Sequence, residues 1–121
     1  MGLDQFAFTT TEPPPTEVDF KLPEEVSEIH YWRKHPNLHG WMQDLYFRKG
    51  GTGEFNCDPV VITAADLHEL EAAIRGKDLP STSGFFFGQT TGEELEDDLA
   101  FIEKARKSIE QGHTVIYDSW W

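Results

Sequence analysis

From residue 91 to residue 117 the chain reads TGEELEDDLAFIEKARKSIEQGHTVIY. Thr91 with Glu94 three residues on is the signature of a capping box, in which each side chain bonds the other's backbone N–H at a helix start. Leu95, Leu99, Ile102 and Ile109 then recur on one side of a helix, and Gly112 closes it. Thr114-Val115-Ile116-Tyr117 follows at once, a β-branched and aromatic run that fits a strand. A long amphipathic helix feeding directly into a strand predicts an α+β domain.

The same reading extends upstream. Phe85-Phe86-Phe87, bounded by Gly84 and Gly88, predicts a short buried strand. Leu67, Leu70 and Ile74 form a helical stripe, with Thr63 as N-cap and Gly76 as a left-handed stop. Val60-Val61-Ile62 is a brief strand or the approach to that helix. Pro36 suits the first helical position, and Leu38, Trp41, Met42 and Leu45 continue the stripe until the Gly50-Gly51-Thr52-Gly53 loop. Residues 28–34 read equally as helix or strand. Phe6 and Phe8 alternate in a first strand with one buried face, and residues 10–22, with Pro13-Pro14-Pro15, form an arm or linker. The expected architecture is one α+β domain over residues 1–121, a small sheet with two or three helices on one face. In it the first and last strands pair.

Composition narrows the class. With 121 residues the chain is long enough for one core, and nine Phe and four Trp supply the buried area that a modest 38% hydrophobic content does not. Cys57 is the single cysteine, so the fold needs no internal disulfide. No run approaches about 20 apolar residues, and the start shows no basic region before an apolar stretch, so a cytoplasmic protein without a membrane anchor is expected. The net charge of −12 makes direct nucleic-acid binding unexpected, because phosphates would repel the surface.

Against that background, Arg33, Lys34, Arg48 and Lys49 form a basic island with one acid, Asp44, and three histidines nearby. His30-Tyr31-Trp32-Arg33-Lys34-His35, with His39 and Trp41, brings anion donors, aromatic faces and titratable rings into twelve residues. Two readings stand. Either Arg33 and Lys34 hold a small anionic ligand with His39 as acid or base, or the aromatics are core and the cations pair with surface carboxylates. His35 and His39 are four apart, yet Pro36 places His35 outside the helix, so no metal site is expected. Cys57 stands beside Asp58, which disfavours a thiolate. Glu93, Glu94, Glu96, Asp97 and Asp98 crowd the start of the long helix. They suit the helix dipole, or they offer an acidic surface to a host protein, in the extreme case by imitating nucleic-acid phosphates. No Walker loop, dinucleotide fingerprint, zinc-protease motif or nucleophile elbow is present, so no cofactor is expected.

Several islands together carry a resemblance. They are Met1-Gly2-Leu3-Asp4, Tyr31-Trp32-Arg33-Lys34 with His39 and Trp41, Asn56-Cys57, Leu79-Pro80, Gly84 to Gly88, the acidic helix with Asp97 and Leu99, and Ser119-Trp120. The chain resembles a group of small proteins of unassigned function from bacteriophages and bacteria. Members sometimes carry a phosphoglycerate kinase label, which this chain is too short to fit. The resemblance implies little about activity, and the reading taken from the whole sequence is a small accessory protein, viral in type, that binds a host protein or a small anionic ligand. The resemblance also suggests that Trp32, Arg33, His39, Asn56, Cys57, the Gly84 to Gly88 segment and Ser119-Trp120 converge on one pocket. A small enzyme acting on a phosphorylated or nucleotide-like substrate is the alternative.

Overall fold

The two strands farthest apart in sequence lie side by side. The computed structural model describes residues 2–82 and 94–121. In chain order its elements are β1 (Asp4–Thr10), β2 (Ser27–Arg33), α1 (Pro36–Arg48), β3 (Val60–Ile62), α2 (Ala64–Arg75), α3 (Leu95–Glu110) and β4 (Thr114–Trp120). The sheet runs β2-β1-β4-β3 with every neighbour antiparallel. The ambiguous stretch around residues 28–34 is therefore a strand, and its pairing with β1 slips between Ala7 and Phe8.

All three helices pack on one face of this sheet. The main core joins Leu38, Met42 and Leu45 of α1, Leu67, Leu70 and Ile74 of α2, and Phe101, Ile102 and Ala105 of α3 to Ala7, Trp32, Val60, Ile62, Val115 and Tyr117 of the strands. In β1 the inward residues are Gln5, Ala7 and Thr9, while Phe6 and Phe8 point to the other face and stay partly exposed. This reverses the expectation that the phenylalanines mark the buried side. The cause is volume: Ala7 is paired with His30 and Tyr117, and the large rings of Trp32 and Tyr117 already fill the space above it.

The helix termini follow local chemistry. Pro36 is at the first turn of α1, where a missing N–H costs nothing. Thr63 caps α2 in a reciprocal capping box with Asp66. The end of α2 differs from expectation: Gly76 keeps a right-handed φ of −84°, and Lys77 takes the left-handed turn at +57°. Phe85-Phe86-Phe87 and Thr91 lie outside the described residues.

Residues 10–22 form a strap. Val18 bridges Val60, and Val61 N–H donates to Glu17 O at 2.9 Å, so the strap shields the outer edge of β3. Beyond it Phe20 and Leu22 cover Val61 and Ile116 on the sheet's second face. Two polar anchors hold the strap. The Tyr46 hydroxyl donates to Asp19, which also accepts from Thr52 N–H at 3.1 Å. Lys49 Nζ donates to Glu17 (2.5 Å), Val61 O (2.6 Å) and Asp66 (2.6 Å). Burial alone would raise the Asp66 pKa, but Lys49 and the Thr63 N–H more than offset it and hold the carboxyl below its usual range. We expect Lys49→Met to cost about 2–3 kcal/mol, because three acceptors lose a charged donor. Urea unfolding would measure this. Limited proteolysis should show faster cleavage within residues 10–22, and unchanged cleavage would mean that Lys49 does not hold the strap.

Candidate functional site

The residues singled out in the sequence divide among three places. The first is the interior, where a chain of polar groups crosses the core between α3, β2, β1, β4 and α1. Asp98, 2% exposed, accepts from the Trp32 indole N–H at 3.0 Å, and its other oxygen lies 2.8 Å from His35 Nε2. The Gln5 side-chain amide clasps the His35 backbone, accepting from its N–H at 2.9 Å and donating to its carbonyl at 3.1 Å. Tyr117 and His39 continue the chain through a 2.9 Å contact between hydroxyl and Nδ1. His39, 1% exposed, sits against Phe55 and Tyr117, and burial lowers its pKa to about 4. Burial likewise pushes the Tyr117 hydroxyl far up. Ser119 Oγ is buried beside that hydroxyl without hydrogen-bond alignment. These groups are fixed donors and acceptors inside the protein, held neutral by burial in the case of His39 and Tyr117.

The second place is a clasp at the end of β4. Asn56 Nδ2 donates to Trp121 O at 2.7 Å, Trp121 N–H returns to Asn56 Oδ1 at 2.9 Å, and Cys57 N–H donates to Ser119 O at 2.7 Å. Phe55 and Cys57 take φ of 58° and 63° to make this turn. The Cys57 thiol is exposed, but partial burial and then Asp118 and Asp58 raise its pKa, so it is not primed as a nucleophile.

The third place is the sheet's outer face, where the register lays out successive rows. The first is Arg33, Asp4 and Trp120, the second Tyr31, Phe6 and Asp118, and the third Glu28, Phe8 and Ile116. Phe6 stacks near Phe8 at 5.8 Å and meets Tyr31 at 5.3 Å. The Tyr31 hydroxyl donates to Asp4 at 2.5 Å, which raises its pKa. The strap reaches Ile116 and Val61 but leaves the β1–β2 half and the C-terminal end of β4 open, with Tyr31 45% and Trp120 60% exposed. Burial, with Asp58 adding to it, pushes the Asp118 pKa up to about 6 against the opposing pull of the Ser119 N–H.

The expected single pocket is therefore corrected. Arg33 is on the outer face, 3.8 Å from Asp4, and His39 is in the core on the other side of the sheet. Lys34 is exposed in a left-handed turn at φ 55°. Strand alternation separates them, since Trp32 turns inward and its neighbour Arg33 outward. The acidic surface is also smaller than expected. Asp98 is core, Asp97 lies 3.0 Å from His30 Nε2, Glu94 is the N-cap of α3, Glu96 is exposed, and Glu93 is outside the described residues. Among the described residues no group of three His, Cys, Asp or Glu side chains is placed to hold a metal. A groove of about 610 Å³ between α2 and α3 is lined by Glu71, Arg75, Leu99, Glu103 and Arg106, and contains neither Arg33 nor His39.

Sequence reasoning missed Phe6, Phe8, Tyr31 and Asp118 as surface groups. The available signal was the alternation of β4, where Ile116, Asp118 and Trp120 share a face that becomes steadily more exposed. No helix among the described residues is long and apolar enough to cross a membrane. Comparison with protein-family models, with curated proteins and with solved structures finds no match, so the outer face and the interior chain carry the functional reading by their own chemistry.

Proposed function

We propose that this chain is a small acidic accessory protein, viral in type and acting in the host cytoplasm, that works by binding a partner protein through the open half of its sheet's outer face. The observation that carries the reading is the exposure of Tyr31 and Trp120 beside the partly exposed Phe6 and Phe8, on the face the helices do not cover. Contiguous exposed aromatics mark interaction surfaces, and Tyr and Trp are the residues most often found at the energetic centre of one. A protein partner fits better than a small anion, because Asp4, Glu28 and Asp118 stand among the aromatics and Arg33 is already beside Asp4. It also fits better than an enzyme built on His39, whose ring is enclosed and binds a proton only weakly.

Selection of a random peptide display library on the immobilised protein tests this. Tyr31→Ser with Trp120→Ser changes exposed side chains, so the melting temperature should barely move. Selected peptides should bind the double variant at least about tenfold more weakly, the loss expected when two aromatic anchors are removed. Peptides that bind both proteins equally would overturn the reading.

A further inference from the structure

We propose that the partner docks by laying an arginine side chain over the Trp120 indole, with its guanidinium reaching Asp118 and Asp4. The inference rests on the outer face being the docking surface and names the chemistry of what binds there. Trp120 is the most exposed large apolar side chain of the described residues, at 60%. Asp4 is directly across from it on β1. There Asp4 Oδ1 already accepts from the Tyr31 hydroxyl and lies 3.8 Å from Arg33 Nε, so Oδ2 is the oxygen for a further donor. Asp118 precedes Trp120 by two residues on the same face of β4. An aromatic face flanked by two carboxylates is complementary to a flat organic cation, which stacks on the ring while its N–H groups meet the oxygens.

The charges around Asp118 support this. Its neighbours are the Ser119 N–H, the carboxylate of Asp58 and the Cys57 thiol. Among the described residues no Lys or Arg stands within ion-pair distance of it. A half-buried carboxylate that is held away from its ionised form by burial gains when a cation arrives. Arginine suits the site better than lysine, because a planar guanidinium can stack and fork at once whereas an ammonium is a compact hydrated point charge.

The cation comes from a different protein. This chain has four arginines, and each already lies within 4.0 Å of a carboxylate of its own: Arg33 with Asp4, Arg48 with Glu69, Arg75 with Glu71, and Arg106 with Glu71. A second copy would have to break one of these contacts to present a guanidinium. The net charge of −12 further opposes self-association and favours a basic partner.

The test is a titration of the isotope-labelled protein, followed by nuclear magnetic resonance, with a flexible peptide of alternating glycine and arginine. A peptide with citrulline in place of arginine has the same shape without the charge, and a lysine peptide keeps the charge without the plane. The arginine peptide should shift the Trp120 indole signal and the Asp4 and Asp118 amides. Its affinity should exceed that of the citrulline peptide by about tenfold or more and that of the lysine peptide by a smaller factor. Asp118→Asn, which preserves shape, should remove most of that preference. Equal shifts from the citrulline peptide, or no effect of Asp118→Asn, would overturn the arginine assignment. Display peptides that still depend on Tyr31 and Trp120 would then leave the docking face standing. Display binding indifferent to those two residues takes down both. Concentration-dependent broadening of the same signals without peptide would assign the face to a second copy instead.

Discussion

Asp98→Ala is expected to destabilise the protein by about 3–5 kcal/mol, the usual cost of breaking a buried polar pair by removing one partner. The carboxylate is the acceptor for the Trp32 indole N–H and faces His35 Nε2 from its other oxygen. Alanine takes both oxygens away at once and leaves a cavity between α3 and the sheet. Asp98→Asn keeps one carbonyl acceptor and should cost distinctly less. Urea unfolding of the two variants, with slopes compared to confirm that each folds to the same compactness, measures the difference. If alanine and asparagine cost the same small amount, the interior chain is not the organising contact between α3 and β2 that its geometry indicates.

The dependence of stability on pH should be flatter in the wild type than in either of two variants, because His39 and Asp118 oppose one another. His39 has a folded pKa of about 4 against an ordinary value of 6.5. Between those values the unfolded chain binds more protons, so stability falls as the pH is lowered through the window, by about 3 kcal/mol for the full shift. Asp118 has a folded pKa of about 6 against 3.8. There the folded state binds more protons, so stability rises as the pH falls from about 6 towards 4. Its partial exposure screens that gain to about 1–2 kcal/mol. His39→Gln should therefore leave a protein that becomes more stable on acidification from pH 6 to 4. Asp118→Asn should leave one that loses stability more steeply than the wild type. Urea midpoints measured at half-unit intervals from pH 7 to 4 give the three curves, and three parallel curves would contradict both assignments.

The sequence carried the fold further than the site, and the reasons are local. Pro36 and Thr63 announce themselves because caps are written in neighbouring residues. The stripe expected on α3 was only partly right: the helix is there, but its buried face is Asp98, Phe101, Ile102 and Ala105, while Leu95 is exposed and Leu99 and Ile109 are only partly covered. The pairing of β1 with β4 was legible from their place at either end of the described chain. Which face of β1 turns inward was not, because that depends on Trp32 and Tyr117, contributed by strands 25 and 110 residues later. His39 looked reactive in a list of residues, and only its enclosure by Phe55 and Tyr117 makes it a neutral structural ring. Arg33 and His39 are six residues apart and still fall on opposite sides of a sheet, since one lies on a strand and the other on the helix packed against it. The outer face was hardest to read, because an exposed phenylalanine and a buried one look the same in a strand pattern.

The central position of β1 and β4 also sets the order of events when the chain is made. β1 leaves the ribosome before β4 and finds that inner neighbour only when residues 114–120 follow, 104 residues after β1 ends. At cellular rates of synthesis that is an interval of about 5–20 s. Through it Phe6 and Phe8 have β2 on one side and an open row of backbone groups on the other. Neither β1 with β2 nor β3 with α2 contains the whole core, which takes Val115 and Tyr117 from β4. During translation the β1 edge therefore stays unpaired until β4 has been made.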